Sequence, residues 1–269
     1  MGILSELGPT ITDVELHPFL RRGRPIAMAH RGGAKEAPEN TPAAFQRAVD
    51  LGFDYVESDL RTTRDGVVVL HHDASLERTG GLNVSVDSLD WSELAEVPLP
   101  QDERIMRLDD ALATWPSVHW NLDIKDDRTL EPALAALDSP EVLERVCISS
   151  FSSARVRAAR KELGPDAATS ATPNEVATIM GASLARPFLR ALRRHLPSLP
   201  VAMQVPRSQG GVPVVTRRTI ALAHDLGIQV HVWVVDDEAD MDQLLDMGVD
   251  GLITDAPTTL RSVLDRRGS

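Results

Sequence analysis

A closed (β/α)8 barrel, an α/β fold, is the fold class this sequence predicts, and three observations predict it. Apolar strand-like runs alternate about eight times with helical segments, joined by short loops marked by Gly and Pro; this is the pattern of parallel βαβ units. The chain has 269 residues, close to the roughly 250 typical of such a barrel. The strands end, in order, on His30; Glu57 and Asp59; Asp123 and Lys125; Ser149, Ser150 and Phe151; Gln204; Trp233; and Asp255. Ending a buried strand on charge is costly unless it opens into a site, and a barrel collects its strand C-termini at one functional rim. The alternative, an open doubly wound sheet, calls for a Gly-rich phosphate loop after the first strand. This chain has His30 and Arg31 there.

Residues 1–25 read as an irregular lead-in, and 26–269 as the barrel domain. Residues 26–29 are a short apolar strand. A helix follows over 42–51, with Thr41 as N-cap, Pro42 at the first helical position and Gly52 as its stop. The next strand is 55–60. Asp65-Gly66 marks a hairpin turn into an antiparallel strand over 67–70. Residues 74–108 read as an excursion of short elements rather than a βα unit. Helices are then expected over 109–114, 130–137, 153–163, 216–226, 238–247 and 258–264, with strands over 119–125, 146–149, 168–171, 201–205, 228–235 and 251–254. Residues 174–196 read as a long helical region broken at Pro187, with the arginines of 190–194 on a solvated face.

Hydrophobic residues make up 42% of the chain and charged ones 25%, with a net charge of -12. An acidic balance argues against binding nucleic acid by phosphate neutralisation. Cys147 is the single cysteine, so no internal disulfide exists, and its apolar strand reads it as a small buried hydrophobe. Residues 1–24 lack a secretory core, and no run approaches the roughly 20 apolar residues of a membrane span. The expectation is a cytoplasmic protein without stable membrane insertion.

Side chains alternate across a strand, so Glu57 and Asp59 share a face, as do Asp123 and Lys125. Carboxylates side by side repel and call for a cation between them. A divalent cation, Mg²⁺ or Ca²⁺, is one solution; salt bridges to arginine at a polar strand end are the other. Arg31 and Lys125 add fixed positive charge suited to a phosphoryl group. Histidine as a residue type suits acid–base work, which His30 and His72 could supply, although a lone strand-end histidine is more often structural. His71 points to the other face and reads as structural. Lys35, Lys125 and Lys161 are the only lysines. Trp233 is either core or a pocket wall. Phosphodiester cleavage is the economical reading of this set.

These residues resemble the glycerophosphodiester phosphodiesterase family. The likeness runs through His30-Arg31-Gly32, Pro38-Glu39-Asn40-Thr41, Glu57-x-Asp59, Asp65-Gly66, His72-Asp73, Asp123-Ile124-Lys125, Ser150-x-Ser152, Gln204, Trp233, 248–251 and Thr254-Asp255-x-Pro257. It implies a TIM barrel with a short insertion after the second strand, here 74–108. It also implies hydrolysis of a small-molecule glycerophosphodiester to sn-glycerol 3-phosphate and an alcohol. Carried over, Glu57, Asp59 and Asp123 hold a divalent cation, and His30 and His72 form the acid–base pair. Arg31, Glu39, Lys125, Gln204 and Trp233 contact substrate or phosphate. The family usually has glutamate where Asp123 stands, and Thr-Val-Asn where this chain has Val234-Val235-Asp236. A lysophospholipid-cleaving enzyme that forms a cyclic phosphate, and a non-catalytic binding protein, are the alternatives on the same fold. The loops that build the alcohol half of the pocket carry no readable code, nor does any motif encode oligomeric state.

Overall fold

The computed structural model describes residues 16–20, 25–181 and 199–268. Among them, eight parallel strands surround one axis: β1 (Ile26–His30), β2 (Tyr55–Thr62), β3 (His119–Ile124), β4 (Val146–Ser149), β5 (Ala168–Thr169), β6 (Ala202–Pro206), β7 (Gln229–Trp233) and β8 (Gly251–Thr254). Pairing runs from β5 through β4, β3, β2, β1, β8 and β7 to β6. A parallel bridge between Ser170 and Ala202 closes the ring. The helices are α1 (Pro42–Asp50), α2 (Leu108–Thr114), α3 (Asp127–Leu137), α4 (Ser153–Leu163), α5 (Pro173–Gly181), α6 (Arg217–Asp225), α7 (Glu238–Met247) and α8 (Pro257–Arg267). This is the (β/α)8 barrel expected from the alternation. The latter part of the broken helix expected over 174–196, with Pro187 and the arginines of 190–194, lies outside the described residues, as does most of the lead-in.

Local chemistry sets the elements. Thr41 Oγ1 accepts from Ala44 N at 3.3 Å, and Pro42 opens α1. Gly66, at φ +89°, turns β2 into the antiparallel strand Val68–Leu70. The excursion that follows is a hairpin of Ser75–Leu76 and Leu82–Ser85 with four short helical turns. It has its own apolar cluster of Val69, Leu76, Val86, Leu94, Val97, Leu99 and Ile105. Several bounds differ from the sequence expectation. Helix α3 starts at Asp127, because Asp126 caps it by accepting from Thr129 N at 2.9 Å. In the lead-in, Phe19 is fully buried and packs with Leu20 against Ile26, Met28, Tyr55, Cys147 and Ile253. The Tyr55 hydroxyl donates to Phe19 O at 2.6 Å. The segment 16–20 therefore plugs the barrel interior with apolar side chains that show no helical or strand period.

Strand register positions the site. His30 lies opposite Glu57, Glu57 opposite Asn121, and Asp59 opposite Asp123. Asp123 in turn lies opposite Ser149. The charged strand ends thus form one rim at the C-terminal side.

Candidate active site

A continuous chain of polar contacts crosses this rim. His30 Nδ1 sits 2.7 Å from Asp255 Oδ1, and its Nε2 is 3.7 Å from Glu57 Oε2. Glu57 also accepts the Arg31 backbone N–H, through its carbonyl at 2.9 Å and its carboxylate at 3.3 Å. The Arg31 guanidinium pairs with Glu39 at 3.0 Å and lies 3.1 Å from Asp59. Lys125 Nζ bridges Asp59 and Asp123, at 2.7 Å to each. Asn40 donates to Asp59 at 3.0 Å and accepts from Ser58 at 2.7 Å. Beyond Glu39, Arg78 donates to both Glu39 oxygens at 2.7 Å and to Asp73 at 2.7 Å. Asp73 holds His72 Nδ1 at 2.6 Å. An ionised carboxylate only accepts, so Nδ1 carries the proton in each imidazole and Nε2 is the free nitrogen. Close approach demands glycine here: a Cβ on Gly32, at φ +82°, meets Ala44 Cβ at 2.7 Å.

The electrostatics follow from burial and neighbours. Burial, and then the Asp59 charge, push the Glu57 carboxyl up to about 7. Burial also acts on Asp59, but Lys125 and Arg31 outweigh it and hold that carboxyl below its usual value. Burial keeps Asp123 above its usual value despite Lys125. Burial depresses the His30 imidazole, yet Glu57 and Asp255 more than compensate and raise it. Among the described residues, no group of three or more His, Cys, Asp or Glu closes into a metal cage. The donor set still suits a hard cation: Asp123 Oδ1 is buried without a hydrogen-bond partner, and Glu57 and Asp59 crowd one strand face.

A family model described as the glycerophosphoryl diester phosphodiesterase family matches residues 30–259. The probable glycerophosphodiester phosphodiesterase 2 of Mycobacterium tuberculosis is 41% identical over 252 residues, covering 93% of this chain and 94% of that protein. The chain belongs to the glycerophosphoryl diester phosphodiesterase family. Membership makes it an enzyme, so the non-catalytic reading falls away. Lysophospholipase D GDPD1 of Mus musculus is 28% identical over 273 residues, with 88% and 85% covered. An Oleispira antarctica phosphodiesterase, solved in complex with the product sn-glycerol-3-phosphate, superposes with TM-score 0.71 at 25% identity, covering 90% of this chain and 97% of that one.

Within this phosphodiesterase fold, the contact chain joins eight of the ten residues singled out by sequence: His30, Arg31, Glu39, Glu57, Asp59, His72, Asp123 and Lys125. Gln204 and Trp233 sit on β6 and β7 of the same rim. Gln204 Nε2 is 3.4 Å from Nδ1 of the fully buried His231, and Trp233 meets the exposed Phe151 edge to face at 6.0 Å. His71 is buried, with Nε2 3.3 Å from Ser75 O, as its strand face implied. Four polar partners were not among the sequence candidates: Asn40, Asp73, Arg78 and Asp255. Asp255 was visible as a strand end, and Asn40 and Asp73 lay within the quoted motifs. Arg78 had no periodic signal, being in the excursion.

Proposed function

We propose that this chain hydrolyses glycerophosphodiesters to sn-glycerol 3-phosphate and an alcohol, using a divalent cation and the His30–His72 pair. The observation that carries the reading is the contact chain: two imidazoles at its ends, each fixed by its own carboxylate, flank three strand-end acids and the cations Arg31, Lys125 and Arg78. His30 and His72 present Nε2 to accept or donate the proton that moves as the P–O bonds exchange. Arg31 and Lys125 bind the phosphoryl oxygens, and Glu39 lines the glycerol side. Gln204 and Trp233 contact substrate or phosphate. Glu57, Asp59 and Asp123 hold Mg²⁺ or Ca²⁺, and Asp123 offers its unpartnered Oδ1. When bound, the ion neutralises charge on the phosphoryl group. No described helix is long and apolar enough to cross a membrane. A cytoplasmic location, read from the composition, belongs to the same proposal and is checked by cell fractionation.

A second reading, cleavage of lysophospholipids with formation of a cyclic phosphate, is favoured by one observation. Phe151, 67% exposed beside Trp233, offers apolar surface at the mouth. Alanine at His30 or His72 is the test of the acid–base pair. Turnover is expected to be abolished in both variants, with circular dichroism and melting unchanged. Near-normal activity in either variant overturns the assignment.

A further inference from the structure

We propose that Arg78, supplied by the excursion after β2, is a positioning residue that aims His72 at the reaction centre. Three charge-assisted hydrogen bonds, each 2.7 Å, run from its guanidinium to Glu39 and Asp73. Those two carboxylates come from separate loops and carry like charge, so nothing but a cation holds them around one point. Among the described residues, Asp73 is the one side chain that hydrogen-bonds His72, at 2.6 Å. Arg78 fixes Asp73, Asp73 fixes the Nδ1–H tautomer and the ring plane, and Nε2 is left facing the mouth. The planar fork matters, because one edge grips Glu39 with two nitrogens while Nε reaches Asp73. Arg78 thereby ties the excursion to Arg31 through Glu39, so the excursion is part of the active-site frame. The excursion has apolar packing of its own beside this contact. Leu76 is fully buried in the excursion's own apolar cluster, whereas Arg78 is about half exposed.

The inference rests on His72 acting in the reaction, and the experiment separates the two. Steady-state kinetics on glycerophosphocholine are measured for the wild type and for Arg78→Met, Arg78→Lys, His72→Ala and the His72→Ala/Arg78→Met double variant. Arg64→Met, which removes an exposed ion pair with Asp90 and Glu93, is the control. Loss of a supporting partner typically costs about 10- to 100-fold. Arg78→Met is expected to lower kcat by that factor with KM within about twofold, Arg78→Lys to recover part of it, and Arg64→Met to match wild type. Added guanidinium ion is expected to raise the rate of Arg78→Met and to do nothing for the double variant. The strongly deshielded Nδ1–H resonance of His72 is expected to vanish in Arg78→Met. Wild-type kcat in Arg78→Met, with His72→Ala inactive, overturns the positioning role and leaves the acid–base reading standing. An active His72→Ala overturns that reading and the inference with it. A loss in Arg78→Met that guanidinium does not restore, with the resonance retained, shows a merely structural effect and also overturns the proposal.

Discussion

Replacing Lys125 with methionine removes the cation that, among the described residues, touches both Asp59 and Asp123. Its Nζ lies 2.7 Å from each, and the exposures are 15% for Lys125, 1% for Asp59 and 9% for Asp123. Breaking a buried ion pair by deleting one partner costs about 3–5 kcal/mol, because the remaining charge stays buried. Two carboxylates lose a partner here, but Asp59 keeps the Arg31 guanidinium at 3.1 Å, which offsets part of the loss. The expected destabilisation at pH 7 is therefore about 3 kcal/mol, the low end of that range. It shrinks toward pH 4, where the stranded carboxyls take up protons. The assay is guanidinium unfolding of metal-stripped protein at both pH values, repeated with Mg²⁺ or Ca²⁺. The ion is expected to restore part of the stability of Lys125→Met, since it supplies the missing positive charge. A loss under about 1 kcal/mol at pH 7, or a loss that grows on acidification, refutes the argument.

Two other outcomes follow from the same physics. His231 is fully buried and its imidazole is pushed down to about 4 by burial. Below pH 6.5 the unfolded chain binds a proton that the folded chain refuses, so stability falls as pH drops from about 6.5 to about 4, by about 3 kcal/mol in all. Urea unfolding across that window is expected to show a flatter dependence in His231→Gln than in wild type. Asp236 Oδ1 accepts from Asp255 N at 2.8 Å and from Thr254 Oγ1 at 3.0 Å, while its other oxygen pairs with the exposed Lys35. Asparagine keeps the first two bonds, so kcat of Asp236→Asn is expected within about twofold of wild type and that of Asp236→Ala well below it, since Asp255 holds His30.

The elements that were legible are those whose ends carry chemistry. Thr41-Pro42 and Gly52 bound α1, Asp65-Gly66 makes the hairpin, and Gly248 ends α7 in the left-handed region at φ +93°. The start of α3 was less legible because Asp126 caps a first turn of charged residues with no apolar period. The small hairpin of Ser208–Gln209 with Val212–Pro213 was missed although Gly210-Gly211 sits at its turn. In the site, the period of two correctly grouped Glu57 with Asp59 and Asp123 with Lys125. The way those groups pair depends on register between β2 and β3, which places Asp59 opposite Asp123 and lets one ammonium reach both. The partner of His30 is 225 residues away in sequence; only ring closure brings Asp255 beside it. At 236, where the family usually has asparagine, the oxygen that serves Asp255 is common to both side chains.

The measurement that bears most directly on the central claim is product identity as a function of metal. Metal-stripped protein is incubated with glycerophosphocholine and glycerophosphoethanolamine, with and without Mg²⁺ or Ca²⁺, and sn-glycerol 3-phosphate is followed. The account predicts release that appears with the ion and disappears with chelator. Release unaffected by chelator contradicts the cation role of Glu57, Asp59 and Asp123. No release from either diester, with cyclic phosphate formed from a lysophospholipid, contradicts the proposed reaction and moves the enzyme to the second reading.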